Sequence, residues 1–127
     1  MRKLAIVLIV GCLFLSACGG TKGTVGSSYS RDLIVAEEIQ ITDANNAYDL
    51  VHKLRPHWLR ARGRKSLNFP EASYPVVYIN RSELGGIDSL YNIPVSNISE
   101  IRYLNAGDAT TKYGSGHSGG AIEITTF

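Results

Sequence analysis

Residues 74–127 read YPVVYINRSELGGIDSLYNIPVSNISEIRYLNAGDATTKYGSGHSGGAIEITTF, and the fold is decided here. Val76-Val77-Tyr78-Ile79 has the β-branched and aromatic composition of a strand. Gly85-Gly86 interrupts the chain. Ile87 to Tyr91 fits a short helix, and Pro94 suits the start of another, where its missing N–H is harmless. Residues alternate from Ser99 to Leu104, with Ile101 and Tyr103 on one side and Arg102 and Leu104 on the other. A turn of helix is expected over Asp108–Tyr113. Ala121–Thr126 is expected as a last strand with Ile122 and Ile124 on one face.

Upstream, Leu33–Ala36 reads as a short strand that runs into a helical segment at Glu37-Glu38-Ile39. Thr42 or Asp43 is expected to cap the next helix, because a side-chain oxygen there satisfies an orphan backbone N–H. Ala47, Leu50, Val51 and Leu54 recur at the spacing of an amphipathic helix. Pro56 ends it, and His57-Trp58-Leu59 adds a further turn. Arg60 to Ser73, with Gly63 and Pro70, reads as a loop. The expectation is one small α+β domain over residues 31–127, a mixed four-stranded sheet with two or three short helices.

The first residues have a different chemistry. Arg2 and Lys3 precede an apolar run, Leu4 to Leu15, that is shorter than the ~20 residues a membrane-spanning helix needs. Leu15-Ser16-Ala17-Cys18 then resembles a bacterial lipobox, in which small residues admit the peptidase and the cysteine thiol receives diacylglycerol. Residues 1–17 are read as a lipoprotein signal peptide, and 18–30 as a flexible Gly/Ser tether from lipidated Cys18. Cys12 leaves with the signal, so no disulfide or cysteine metal site is expected. Gly19 rather than aspartate follows the lipidated cysteine, which by resemblance to known sorting rules implies the outer membrane.

The quoted stretch resembles the C-terminal half of the plug domain of TonB-dependent outer-membrane receptors. Ile93-Pro94 followed by Ile98-Ser99-Glu100-Ile101-Arg102-Tyr103-Leu104 fits that family's Ile-Pro and Ile-Glu-x-Ile-x-Val pieces. Ala109 to Gly114 fits its short helix ending in Tyr-Gly, and Gly119 to Thr126 fits its closing Gly-x-Ile-x-Ile-x-Thr. The helix closing in Leu54-Arg55-Pro56 is similar to the plug's early helix. Asn80-Arg81 departs from the family's usual Asp-Gly turn. The resemblance implies a plug fold and an outer-membrane setting. No barrel sequence follows and the tether carries no TonB-box-like segment, so a stand-alone plug without transport activity is expected.

Two enzyme motifs occur in the glycine loop. Gly114-x-Gly116-x-x-Gly119 matches a dinucleotide fingerprint, but a strand rather than a helix is expected after it. Gly116-x-Ser118-x-Gly120 matches a hydrolase elbow, but that also needs a following helix and a later histidine. The glycines are read instead as a tight reversal with close backbone packing. His52, His57 and His117 show no ligand spacing and are read as isolated surface or capping residues; neither metal nor cofactor is expected. The acidic residues form no recognisable pair, so no catalytic residues and no enzyme are expected.

The remaining signal is a basic run. Lys53, Arg55, Arg60, Arg62, Arg64 and Lys65 lie together with Trp58, and no acid occurs between Asp49 and Glu71. Without Arg2 and Lys3 the chain has 11 basic and 11 acidic side chains, so over half its positive charge is local. Guanidinium groups pair bidentately with phosphate, and tryptophan suits a lipid interface. The run is therefore a candidate contact for lipid phosphates or an acidic envelope partner such as a barrel protein. Nucleic acid is not an expected partner of an exported lipoprotein. The functional expectation is a non-enzymatic, outer-membrane-anchored binding or accessory module. The alternative is a lipoprotein carrying a small siderophore- or sugar-type ligand. A concave, partly apolar site after Ile79 and around Asp108–Gly116 would mark that carrier.

Overall fold

The alternating runs at 98–104 and 121–126 form the centre of a five-stranded sheet. The computed structural model describes residues 30–62 and 73–127. The strands are β1 (Leu33–Ile34), β2 (Val76–Ile79), β3 (Ser82–Gly85), β4 (Ile98–Leu104) and β5 (Ala121–Thr126), in the order β1-β4-β5-β2-β3. β2 and β5 are parallel and the other pairs antiparallel, so the sheet is mixed. The helices are α1 (Ala36–Ile41), α2 (Ala47–Leu54) and α3 (Ala106–Tyr113), with short 3₁₀ turns at Pro56–Leu59, Ile87–Asn92 and Val95–Asn97.

Register divides the sheet into two faces. Ile101 pairs with Ile124 and Tyr103 with Ile122. These four side chains join Val77 and the helical residues Ile39, Leu50, Val51, Trp58 and Leu90 in the main core. Each fully buried Ile or Leu side chain contributes about 1.5–3 kcal/mol from the apolar surface it withdraws from water. On the opposite face α3 covers only one end, packing Ala109 and Tyr113 on Tyr78 and Ala121.

The expectation of four strands is corrected to five. The additional one, β3, is the sheet's edge, polar and exposed, without the β-branched pattern that marks a strand from sequence. It forms because Asn80 (φ 47°) and Arg81 (φ 72°) both adopt left-handed backbone and close a two-residue hairpin. Asparagine tolerates that region; arginine is strained there. A second correction concerns α2, whose cap is Asn46 rather than Thr42 or Asp43. Its Oδ1 accepts from the Asp49 N–H at 2.9 Å. Thr42 instead follows α1 and donates to the Glu38 carbonyl at 2.6 Å.

The glycine loop is the reversal expected. A side chain at Gly119 would meet the Tyr74 backbone at 2.5 Å, and one at Gly120 (φ 86°) the Leu104 carbonyl at 2.4 Å. The loop follows α3 and precedes β5, the reverse of the order a dinucleotide loop or a hydrolase elbow requires.

Candidate functional site

The basic run does not lie on one surface, and its division defines the candidate site. Pro56 stops α2, and Arg55 leaves the helix with a non-helical backbone (φ −141°, ψ 58°), its side chain bonded back to the start of the domain. There its Nη2 donates to the carbonyls of Ser30 at 3.1 Å and Leu33 at 3.3 Å and to Glu38 Oε1 at 2.9 Å. Nη1 donates to the Leu54 carbonyl at 3.0 Å. Glu38 is buried in α1, and its other oxygen accepts from the Val35 N–H at 3.3 Å. Both side chains of this ion pair are largely withdrawn from water.

Trp58 is the second inward member. It is fully buried, so it is not available for the lipid-interface role expected of it. Its indole N–H donates to the Arg31 carbonyl at 3.1 Å, and its ring stacks on Tyr103 at 5.7 Å. Arg55 and Trp58 together clamp residues 30–33, the first described residues, against α1 and the sheet. Local sequence does not separate these two from their neighbours, because tryptophan and arginine each join a long apolar body to a polar tip, and what decides their burial is a distant partner.

The outward members lie beside residues 30–33. Arg60 and Arg62 are exposed, as is Arg31, which the sequence reading left out. The Arg62 guanidinium lies 5.0 Å from the Tyr103 ring centre, and its backbone N–H donates to the Ser73 carbonyl at 2.7 Å. Lys53 is exposed on α2, its ammonium bonded to the Asp43 carbonyl. Arg64, Lys65 and Cys18 lie outside the described residues. His57 senses the local field. Its pKa is lowered by burial and by the charges of Arg62, Arg55 and Arg60, with Asp32 opposing them. The exposed face around residues 30–33 thus carries Arg31, Arg60 and Arg62 with Asp32 among them. Against it lies a recess of about 390 Å³ lined by Arg31, Glu38, Ile41, Leu54 and Arg55, with Ile41 77% exposed.

A second recess, about 490 Å³, lies on the open face of the sheet between the Asn80-Arg81 turn and α3. Its walls are charged and largely self-paired. Lys112 Nζ contacts both Glu123 oxygens at 2.7 and 2.8 Å, and Arg102 reaches Glu100 at 3.1 Å. Burial would raise the Glu123 pKa, but bonds from Lys112 and Tyr113 outweigh it and hold the carboxyl below its usual value.

Of the surface or capping roles expected for the histidines, His117 takes the capping one, and it is buried rather than on the surface. Its Nδ1 lies 2.8 Å from the Gly114 carbonyl and therefore carries the proton, which leaves Nε2 to accept from the Tyr78 hydroxyl at 2.8 Å. Tyr78 stacks on Tyr113 at 3.7 Å, so the histidine closes the glycine loop over the small second core. Among the described residues no group of histidine, cysteine and acidic side chains is placed to hold a metal, and no helix is long and apolar enough to cross a membrane.

Comparison with protein-family models, curated proteins and solved structures returns no match for this chain.

Proposed function

We propose that this chain is a non-enzymatic binding or accessory module of the bacterial outer membrane, a plug-like domain held by lipid on Cys18. Its basic face at the tether root contacts an envelope component bearing phosphate or carboxylate groups. One observation carries this reading. Arg55 and Trp58 fasten residues 30–33, where the proposed tether would begin, on the same side as Arg31, Arg60 and Arg62.

Magnitudes support that orientation. Eleven residues separate Cys18 from Ser30. A Gly/Ser-rich chain of that length spans about 20 Å. A folded body of about 100 residues is about 30 Å across. The side from which the tether emerges thus meets the membrane more often than the far edge of the sheet. Carriage of a small ligand stands second. The recess beside the Asn80-Arg81 turn has charged, mutually paired walls, whereas carriers enclose their ligand in largely apolar surroundings.

The test is envelope fractionation with co-purification. Cys18→Ser should release the protein from the membrane fraction. Reversing Arg60, Arg62 and Arg64 to glutamate should leave it anchored and remove its crosslinks to lipid phosphates or acidic partners. Retention of Cys18→Ser in the membrane contradicts the anchor, and unchanged crosslinks after charge reversal contradict the contact.

A further inference from the structure

We infer that the recess at the tether root is a membrane-docking site for an anionic phospholipid bilayer, with Ile41 entering the interface and Arg31 meeting the phosphates. The inference rests on the anchored-module reading above and names the partner of that face.

A single exposed apolar residue means little, because such residues are common on soluble proteins. Ile41 differs in its setting. It ends α1 and is 77% exposed, yet it borders a recess whose other apolar wall is Leu54 and whose cations are Arg31 and Arg55. Arg55 is committed to Glu38 and three backbone carbonyls, which leaves Arg31 as the exposed cation of the rim. An apolar contact flanked by arginine matches the bilayer interface, where the side chain enters the acyl boundary and the guanidinium stays at phosphate level.

The tether selects the bilayer over a soluble partner. The Ser30 carbonyl, where the proposed tether meets the domain, accepts from Arg55, which lines the recess. Any membrane holding Cys18 is therefore at high local concentration against this site, so even a weak contact is occupied. The sheet's other edge, β3, carries Leu84 at 44% exposure and lies four strands away in the sheet order, which makes it the internal control.

The experiment uses the full chain matured in bacterial cells, with Ile41→Cys labelled by an environment-sensitive fluorophore and Leu84→Cys labelled in parallel. Protein is reconstituted into vesicles of phosphatidylcholine with and without phosphatidylglycerol. The Ile41 probe should shift to the blue with several-fold higher intensity in the anionic vesicles, and the Leu84 probe should not. Arg31→Glu should remove the shift, and so should about 1 M salt, where the screening length falls to about 3 Å. An unshifted Ile41 probe on membrane-bound protein overturns the inference, as does an equal shift at Leu84. A shift in envelope extract but not in vesicles overturns it in favour of a protein partner. Mass analysis of the N-terminal peptide reads the anchor separately. An unmodified Cys18 contradicts anchoring, whereas a lipidated Cys18 with a silent Ile41 contradicts docking alone.

Discussion

Arg55 and Arg60 belong to one basic run, five residues apart, and are used in opposite ways. Arg55 is withdrawn into an ion pair with a buried glutamate and three carbonyl bonds, whereas Arg60 stays in water. The same contrast separates Trp58, fully buried, from Arg62, exposed over Tyr103. A charge run thus contains two populations, one that builds the fold and one left over for contact, and only tertiary structure sorts them. The inward pair also holds residues 30–33, and with them Arg31, beside the outward pair.

Substitutions can break this contrast at either end. Trp58→Ala should have the largest effect, a loss of about 3–5 kcal/mol from the cavity and the lost stacking, read by urea unfolding. Arg55→Ala should cost about 3–5 kcal/mol, because it removes the cation from the buried Glu38 carboxylate and leaves it only the Val35 N–H. The double variant Arg55→Met with Glu38→Leu should recover most of that stability. It should still speed amide exchange at Leu33, because the bonds that pin the tether root are gone. If Arg55→Ala were as mild as a surface change, the inward role assigned to Arg55 would be wrong.

The outward residues should behave differently. Arg62→Ala should cost about 0.5–1 kcal/mol, the size of an exposed cation–π contact. Arg60→Ala should stay within about 0.5 kcal/mol. Both should weaken binding to anionic vesicles far more than they weaken the fold.

The smallest effect is a pH dependence at His57. Its folded pKa lies below the unfolded value, so the neutral ring is favoured by folding. The associated stability is present above the unfolded pKa of about 6.5 and is lost as pH falls toward the folded value. His57→Gln should flatten this slope. Anionic vesicles, by offsetting the charges of Arg62 and Arg60, should raise the His57 pKa in an NMR titration; no change would place the basic face away from lipid.

Much of the architecture was legible in the sequence. The alternation at Ile98–Leu104 and Ala121–Thr126, and the β-branched run at Val76–Ile79, carry the central strands. Gly119 and Gly120 announce a reversal that only glycine permits. β3 was hidden because an exposed edge strand has no apolar period, and its hairpin rests on an arginine in left-handed backbone. The Asn46 cap lay among several residues of equal capping ability. The candidate site was legible as a set of charges but not as a surface. Glu38 and Arg55 are 17 residues apart, with no local pattern linking them. Nor does any local signal show that the Trp58 indole would bond Arg31 rather than face a membrane.

Paramagnetic relaxation on the full chain matured in bacterial cells, bound to anionic vesicles containing a headgroup nitroxide lipid, tests the central claim most directly. The account predicts that amide signals of Arg31, Asp32, Ile41 and Leu54 to Arg62 broaden strongly, while those of Asn80 to Gly85 at the far edge stay sharp. Uniform broadening, or strongest broadening at Asn80 to Gly85, would contradict it.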